Sequence, residues 1–526
     1  MENETFMAFS VRHIIIGFIL CMMIKSVMNA VESKQRSKFL GIVHPEQIHI
    51  SFGDTSQDIV IMWATKRDEV FHVQLVDSEA NETVKIFEGE RAVLDKLSSR
   101  AAKHLHRVHL KQLKPGEMYG YRVVGKTGAN SNMYAFTVPY DSKKKKVHTF
   151  MILADMGLAS KSMKFLTYEA AKGLYEAVFH VGDIAYNLDL DEGSIGDKYM
   201  NNMEKFAARI PYMTVPGDHE KYHDFAHYRY RFSMPNTPWP MPAEKLWYSL
   251  DVGPVHFVTI NTEVFYSQTD QKEEQIVWLQ NDLLELRKRR DQHPWLIVLG
   301  HKPMYSSRSD FPGGEEEDCS SEKDCIIRQE LEDIFYQEGV DLYISGHRHN
   351  YERTWPMYRG KVFQEHYENP PAPVYIVNGA MGYQLIVENI IEHNPWTAFS
   401  TSDPEKELYG KLEILNGSHL MWDVFDASNN EKVDSILVIR KFHLSFGKAG
   451  DSAFEEMKKF RALPPAPLGW HAPEQKPVEE NLVYKFRRLQ PSTRKFYLWS
   501  ACFSLLAALF CLISSPRVRR QLCRRK

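Results

Sequence analysis

Ala177-Val178-Phe179-His180-Val181-Gly182-Asp183-Ile184-Ala185-Tyr186 is an apolar run that stops on a glycine, a carboxylate and a phenol. A short apolar run bounded by a turn residue predicts a buried strand, here with Asp183 and Tyr186 just past its carboxyl end. The pattern recurs at four other places. Phe150-Met151-Ile152-Leu153-Ala154 leads into Asp155-Met156-Gly157, and Tyr212-Met213-Thr214-Val215 leads into Gly217-Asp218-His219-Glu220. Trp295-Leu296-Ile297-Val298-Leu299 precedes Gly300-His301, and Leu342-Tyr343-Ile344 precedes Gly346-His347-Arg348-His349. One such fragment has an ordinary reading, because a lone Asp after a strand is usually a turn former and Gly-His-x-His alone is a weak signal. Together they gather carboxylates and imidazoles at the carboxyl ends of parallel strands, where open α/β sheets keep their sites.

In order and spacing the five blocks resemble the purple acid phosphatases of the metallophosphoesterase superfamily, and within them the animal branch. Asn350-Tyr351-Glu352-Arg353-Thr354 and Asn378-Gly379-Ala380-Met381-Gly382 strengthen the likeness, which covers residues 45 to 440. The resemblance implies a first metal site of Asp155, Asp183, Tyr186 and His349 holding Fe(III), and hard phenolate and carboxylate donors suit a trivalent iron. It implies a second site in which Asp183 bridges and Asp218, His301 and His347 complete the set around zinc, Fe(II) or Mn(II), among which these donors do not discriminate. Tyrosinate on Fe(III) is the family's source of colour, so Tyr186 is the distinguishing ligand.

The activity implied is acid phosphatase: hydrolysis of phosphate monoesters by in-line attack of a hydroxide held on a dinuclear Fe(III)–M(II) centre, with Asp183 and His219 as catalytic residues. His219 would hydrogen-bond a phosphate oxygen or assist the leaving group. Two departures from the family pattern stand out. The family reads Gly-Asn-His-Glu where this chain has Gly-Asp-His-Glu. Fe(III) and a divalent ion carry five positive charges, and Asp155, Asp183, Tyr186, Asp218 and a bridging hydroxide cancel all five, whereas an asparagine would leave one. The second departure is the histidine that commonly follows the Gly-His block, replaced here by Ser306-Ser307-Arg308-Ser309-Asp310. Arg308 is the candidate phosphate contact and Asp310 the candidate proton donor, although both residue types are also ordinary in a solvated loop. These departures keep open a catalytically weak metal-binding surface protein. A phosphodiesterase on the same two-metal core is the other alternative.

Length supports two or three domains, since 526 residues stand against about 100–200 per domain. Residues 147–440 are expected to form an α/β metallophosphoesterase sandwich, with mixed sheets flanked by helices. Residues 45–140 read as all-β, from short runs such as Ile48-His49-Ile50-Ser51-Phe52, Ile59-Val60-Ile61-Met62-Trp63, His106-Arg107-Val108-His109-Leu110 and Met118-Tyr119-Gly120-Tyr121-Arg122-Val123. Leu113-Lys114-Pro115-Gly116-Glu117-Met118-Tyr119 resembles the tyrosine corner of fibronectin type III sandwiches, with Trp63 as the buried tryptophan.

Both ends of the chain speak to location. Residues 14 to 24 form an apolar segment too short to cross about 30 Å of hydrocarbon, followed by Ser26 and Ala30, which predicts a signal peptide over 1–30. Residues 496 to 513 are apolar and free of charge, long enough for a transmembrane helix over 496–515, and the tail 516–526 carries five arginines and Lys526. Basic residues prefer the cytoplasm, so the catalytic region is expected to be lumenal or extracellular on a single-pass membrane protein of the secretory pathway, or secreted. Five prolines between Pro464 and Pro477 mark residues 442–490 as a stalk. Of six cysteines, Cys319 and Cys325 alone fall in the folded part and suit a local disulfide, with two free thiols as the alternative. Asn81-Glu82-Thr83 and Asn416-Gly417-Ser418 are N-glycan acceptors in that compartment. A net charge of −3 gives no case for a nucleic-acid partner. Protease added to intact vesicles should therefore trim only the tail after Ile513 and leave a glycosylated catalytic region, as read by immunoblot. Digestion of that region from the cytosolic side would reverse the orientation.

Overall fold

The computed structural model describes residues 43–77, 83–94, 104–140, 147–158, 160–267, 270–307, 325–383 and 394–441. Within them the strand-forming runs divide into two parts. The first holds two four-stranded antiparallel sheets, one of Glu46–Phe52, Ile59–Thr65, His104–Leu110 and Glu90–Val93, the other of Thr83–Glu88, Phe71–Asp77, Met118–Gly125 and Tyr134–Thr137. Alternating residues of both sheets meet in one core, where Trp63 is 1% exposed and stacks on His106. Lys114 N donates to Tyr119 Oη at 3.2 Å, so the turn before Met118 is closed by the phenol that the sequence singled out.

The second part is built on two further sheets. One is six-stranded, with Tyr212–Val215, Ala177–Val181 and His148–Leu153 running parallel and Leu408–Asn416, His419–Asp426 and Glu431–Ile439 continuing antiparallel. The other is seven-stranded, with Val255–Ile260, Trp295–Gly300, Leu342–Ser345 and Val374–Asn378 parallel at its centre. These runs are mostly apolar because both faces of each parallel strand are covered, and all five residues of Ala177–Val181 are buried. Phe257 of the second sheet fills the space between the sheets, its ring 4.9 Å from Phe150 and 4.5 Å from Phe179 of the first. The crossovers are helices: Met163–Ala171 and Ser194–Ala207 serve the six-stranded sheet, Gln271–Arg287 and Ile326–Glu338 the seven-stranded one. Gln271–Arg287 turns Gln275, Leu279, Leu283 and Leu286 inward at helical spacing.

This is a two-sheet α/β sandwich flanked by helices and preceded by an all-β unit, as expected. The two parts are locked by buried polar contacts. Arg231 donates to Gln47 Oε1 at 2.8 Å and to Asp197 Oδ1 at 2.9 Å, and Glu204 accepts from Ile48 N and from the Tyr134 hydroxyl. Trp239 packs on Val60, Met62 and Leu105. The signal peptide, stalk and membrane segment expected from the sequence lie outside the described residues, among which no helix is long and apolar enough to cross a membrane.

At the amino ends of the second sheet's strands, the buried His256 ring is held by two carboxylates, Nδ1 against Asp251 at 2.7 Å and Nε2 against Asp282 at 2.8 Å. Ser249 donates to Asp282, while Arg289 and His293 face Asp251. Burial pulls the His256 pKa down, but the bonds to Asp251 and Asp282 outweigh it, and the net shift is upward. A raised folded pKa contributes stability that is fully present below the unfolded value of about 6.5 and fades as pH climbs through the folded value. Urea unfolding should therefore show wild type gaining on His256→Phe as pH falls toward 6, with the gap narrowing in alkaline buffer. A gap that does not change with pH would show that the ring stays neutral.

Candidate metal centre

Each ligand candidate sits one to five residues past the end of a parallel strand, and the chain there leaves extended geometry sharply. Asp155, Asp183, Tyr186 and His347 all have positive φ, between 52° and 68°. Such conformations cost of order 1–3 kcal/mol each in a residue with a Cβ and persist where surroundings over-determine them. The turn throws the side chain back across the strand end. Close approach at two glycines completes the cradle: a Cβ on Gly182, at φ 80°, would lie 2.2 Å from His301 Nδ1, and one on Gly217 would lie 2.4 Å from Asp183 Oδ1.

The seven candidates come together from both sheets. Asp155, Asp183, Tyr186 and Asp218 follow strands of the six-stranded sheet, while His301, His347 and His349 follow strands of the seven-stranded one. One sheet thus brings every oxygen donor and the other every nitrogen donor. Around Asp155, the Tyr186 hydroxyl lies 3.0 Å from Oδ1 and 2.6 Å from His349 Nε2, and His349 Nε2 is 3.5 Å from Asp155 Oδ1. Around Asp218, Oδ1 is 3.1 Å from His301 Nε2 and 3.0 Å from His347 Nδ1, and His301 Nε2 is also 3.2 Å from Asp183 Oδ1. Asp183, Asp218, His301 and His347 form a cluster able to hold an ion.

These spacings are those of donors sharing a cation. Ligands on a first-row ion at about 2.0–2.3 Å, set near right angles, lie about 3 Å from one another. The charges agree with that reading. Asp155 and Asp183 are 0% and 2% exposed, and burying carboxylates in this number calls for positive charge. Burial, with Asp155 and Asp183 adding to it, raises the Tyr186 phenol well above its usual range, so a cation is what would release its proton. Burial would also raise Asp218, but His347 and His301 override it and hold it well below the usual carboxylate range. His301 is fully buried and donates Nδ1–H to Val181 O at 2.9 Å, which leaves Nε2 as the donor atom facing the centre.

His219, the candidate for contact with substrate, is placed by three contacts. Its backbone N donates to Asp183 Oδ1 at 3.1 Å, its ring lies 4.5 Å from that of Tyr186, and its Nδ1 meets Asn187 Oδ1 at 2.5 Å. Nε2 therefore points to the site, 3.9 Å from Asp183 Oδ2. Arg308, Asp310, Cys319 and Asn81 fall outside the described residues, whereas Cys325 is disulfide-bonded and Asn416 lies exposed in a tight turn.

Comparison with known proteins agrees with this geometry. Three family models match: Purple acid Phosphatase, N-terminal domain over residues 45–138, Calcineurin-like phosphoesterase over 148–351, and Iron/zinc purple acid phosphatase-like protein C over 372–435. The acid phosphatase type 7 of Mus musculus is 35% identical over 424 residues, which is 76% of this chain and 91% of that one. The chain belongs to the purple acid phosphatase family. By class it is a phosphoesterase. Acid phosphatase type 7 of Homo sapiens is 34% identical, over 75% of this chain and 91% of the relative. Among solved structures, the purple acid phosphatase PPD1 of yellow lupin seeds shares the fold with a TM-score of 0.65 at 22% identity, covering 82% of this chain and 78% of that one.

Glu220, the last residue of the Gly-Asp-His-Glu block, gains its role in the folded chain. Its carboxylate accepts from Asp183 N, Ile184 N and Gly217 N, each at 2.9 Å, and so ties the turn after one strand to the turn after the next. Burial, and after it Asp183, pushes its pKa up to about 8. The Gly-x-x-Glu spacing, which lets Glu220 reach back to the Gly217 N–H as the glutamate of a capping box does, was the available signal. Glu220→Ala should leave three buried N–H groups unpaired and cost about 3 kcal/mol or more. Urea unfolding and metal analysis should show a less stable protein that copurifies with less metal. A variant with normal metal content would show that the clamp does not hold the ligands in place.

Proposed function

We propose that this chain is an acid phosphatase that hydrolyses phosphate monoesters at a dinuclear centre. Asp155, Asp183, Tyr186 and His349 would hold Fe(III), and Asp183, Asp218, His301 and His347 a divalent zinc, iron or manganese. The observation that carries this reading is the pair of donor groups spaced about 3 Å apart on the strand ends of two sheets. When bound, such a pair of ions supplies Lewis-acid charge for the phosphoryl oxygens and activates water. The protein's own groups position what reacts. His219, steered by Asn187, offers Nε2 to a phosphate oxygen or to the leaving group, and Asp183 and Tyr186, both buried, keep bulk water from that side. The catalytic region is proposed to be lumenal or extracellular and tethered by the C-terminal apolar segment.

Asp218 favours a second reading, in which the site binds metal but turns over weakly, since its charge lowers the electrophilic pull on phosphate. Expression of residues 31 to 490 from a secreting host separates the two. The expected outcome is two metal ions per chain and turnover of a generic phosphomonoester that is lost on chelation and restored by metal. His219→Ala should lower kcat by about 10²-fold or more with metal retained, the range for loss of a proton-transfer group. Full occupancy without turnover would support the weak-catalyst reading.

Colour and charge give independent checks. The iron-loaded protein should absorb broadly in the visible, and Tyr186→Phe should remove the band while much of the iron stays. Asp218→Asn should weaken retention of the divalent ion in competition with a chelator while leaving the iron band in place. A colourless iron-loaded wild type would sink the assignment of Tyr186.

A further inference from the structure

The block Asn378-Gly379-Ala380-Met381-Gly382 carries no ligand, yet it is stitched to the centre. Asn378 Nδ2 donates to Ile152 O at 3.0 Å, and a Cβ on Gly379 would lie 2.8 Å from Asp155 Oδ2. The residue that follows the block, Tyr383, donates its backbone N–H to Asp155 O at 3.0 Å. Its ring then lies face to face on Tyr186, with centroids 3.2 Å apart and planes 12° from parallel. Three rings touch Tyr186 among the described residues, and Tyr383 is the one that lies flat on it, since His219 is tilted by 54° and His349 stands nearly edge-on at 84°. A Cβ on Gly157 would strike Tyr383 Cδ2 at 2.9 Å, so the glycine after Asp155 leaves room for this ring.

Tyr186 needs such a buttress. It is a bulky residue at φ 52°, on a turn with its own backbone strained, and its oxygen must meet Asp155 and His349 to within a few tenths of an ångström. Two χ angles lie between that backbone and the phenol oxygen, so a face that blocks ring rotation fixes where the oxygen goes. A stacked aromatic face also excludes water from one side of the ring.

We propose that Tyr383 is a positioning residue that holds the Tyr186 ring in its metal-ligating orientation through its aromatic face. The proposal rests on the reading of Tyr186 as an iron ligand. Its own content is that flatness matters and the Tyr383 hydroxyl does not. Tyr383 touches neither substrate nor reacting atoms in this role.

The test uses the full chain loaded with iron, in wild type, Tyr383→Phe, Tyr383→Ala and Tyr383→Leu. Two quantities are read: visible absorbance per bound iron, and the rate of iron release to a competing chelator. Tyr383→Phe should match wild type in both. Tyr383→Ala should release iron about tenfold faster, the upper end of what a stacked aromatic pair contributes at about 1.4 kcal/mol per tenfold, with a weakened or displaced band per iron. Tyr383→Leu restores volume without a flat face and should behave like the alanine variant, which keeps the test available if that variant folds poorly. Wild-type absorbance and release in Tyr383→Ala or Tyr383→Leu would overturn the proposal, as would a phenylalanine variant as defective as alanine. If iron-loaded wild type lacks a band that Tyr186→Phe removes, the ligand reading itself fails. That result is distinct, because it appears before any change at Tyr383.

Discussion

Buried like charge is the constraint around which the catalytic region is arranged. Asp155 and Asp183 are removed from water almost completely, and Asp218 joins them at the ends of three adjacent strands. In a low-dielectric setting such a group of carboxylates is costly unless cations share it, and the cost of one buried uncompensated charge is several kcal/mol. The surrounding structure therefore has two tasks: to hold repelling groups together and to keep their donor atoms free for an ion. The first is met by backbone. His347 N donates to Asp155, His219 N to Asp183, and Glu220 binds the intervening turns with three bonds. The second is met by the left-handed turns, which aim side chains where an extended strand could not.

Much of this was legible in sequence because a buried parallel strand announces itself as a continuous apolar run, and a ligand past its end interrupts that run with glycine and charge. Ala177–Val181 and Tyr212–Val215 have the bounds their composition suggests. What composition does not encode is which strands become neighbours. The five runs look alike, and nothing local to Trp295–Gly300 says that it belongs to a different sheet from His148–Leu153. The positive φ of Tyr186 was equally hidden, since a bulky aromatic does not signal a left-handed turn. Glu220, Asn187 and Tyr383 were hidden by distance: each acts through a partner at least 30 residues away in sequence or through a ring it covers, as in the Asn187–His219 pair separated by 32 positions.

The aspartate at position 218 sits among the nitrogen donors, as its place in the second site requires. It is not a stray surface charge, because its Oδ1 lies within hydrogen-bond reach of two histidines. Lys302, buried and next to His301 in the chain, faces Glu263 at 3.6 Å, so that cation is already engaged by an acid. The added negative charge of Asp218 faces the two imidazoles proposed to hold the divalent ion. On the proposed assignment such a site would hold its ion more firmly and polarise phosphate less.

The division of donors between the two sheets has a mechanical meaning. Oxygen atoms come from one layer and nitrogen atoms from the other, so an ion at the centre acts as a rivet across the seam between them. Neither layer holds a complete set, and a slide of one past the other by an ångström would separate both groups at once. Ion loss and loosening of the layered core should then be a single cooperative event. Acidification would attack the rivet from the imidazole side, while oxygen-donor competitors such as free phosphate would compete with the carboxylates for the ion.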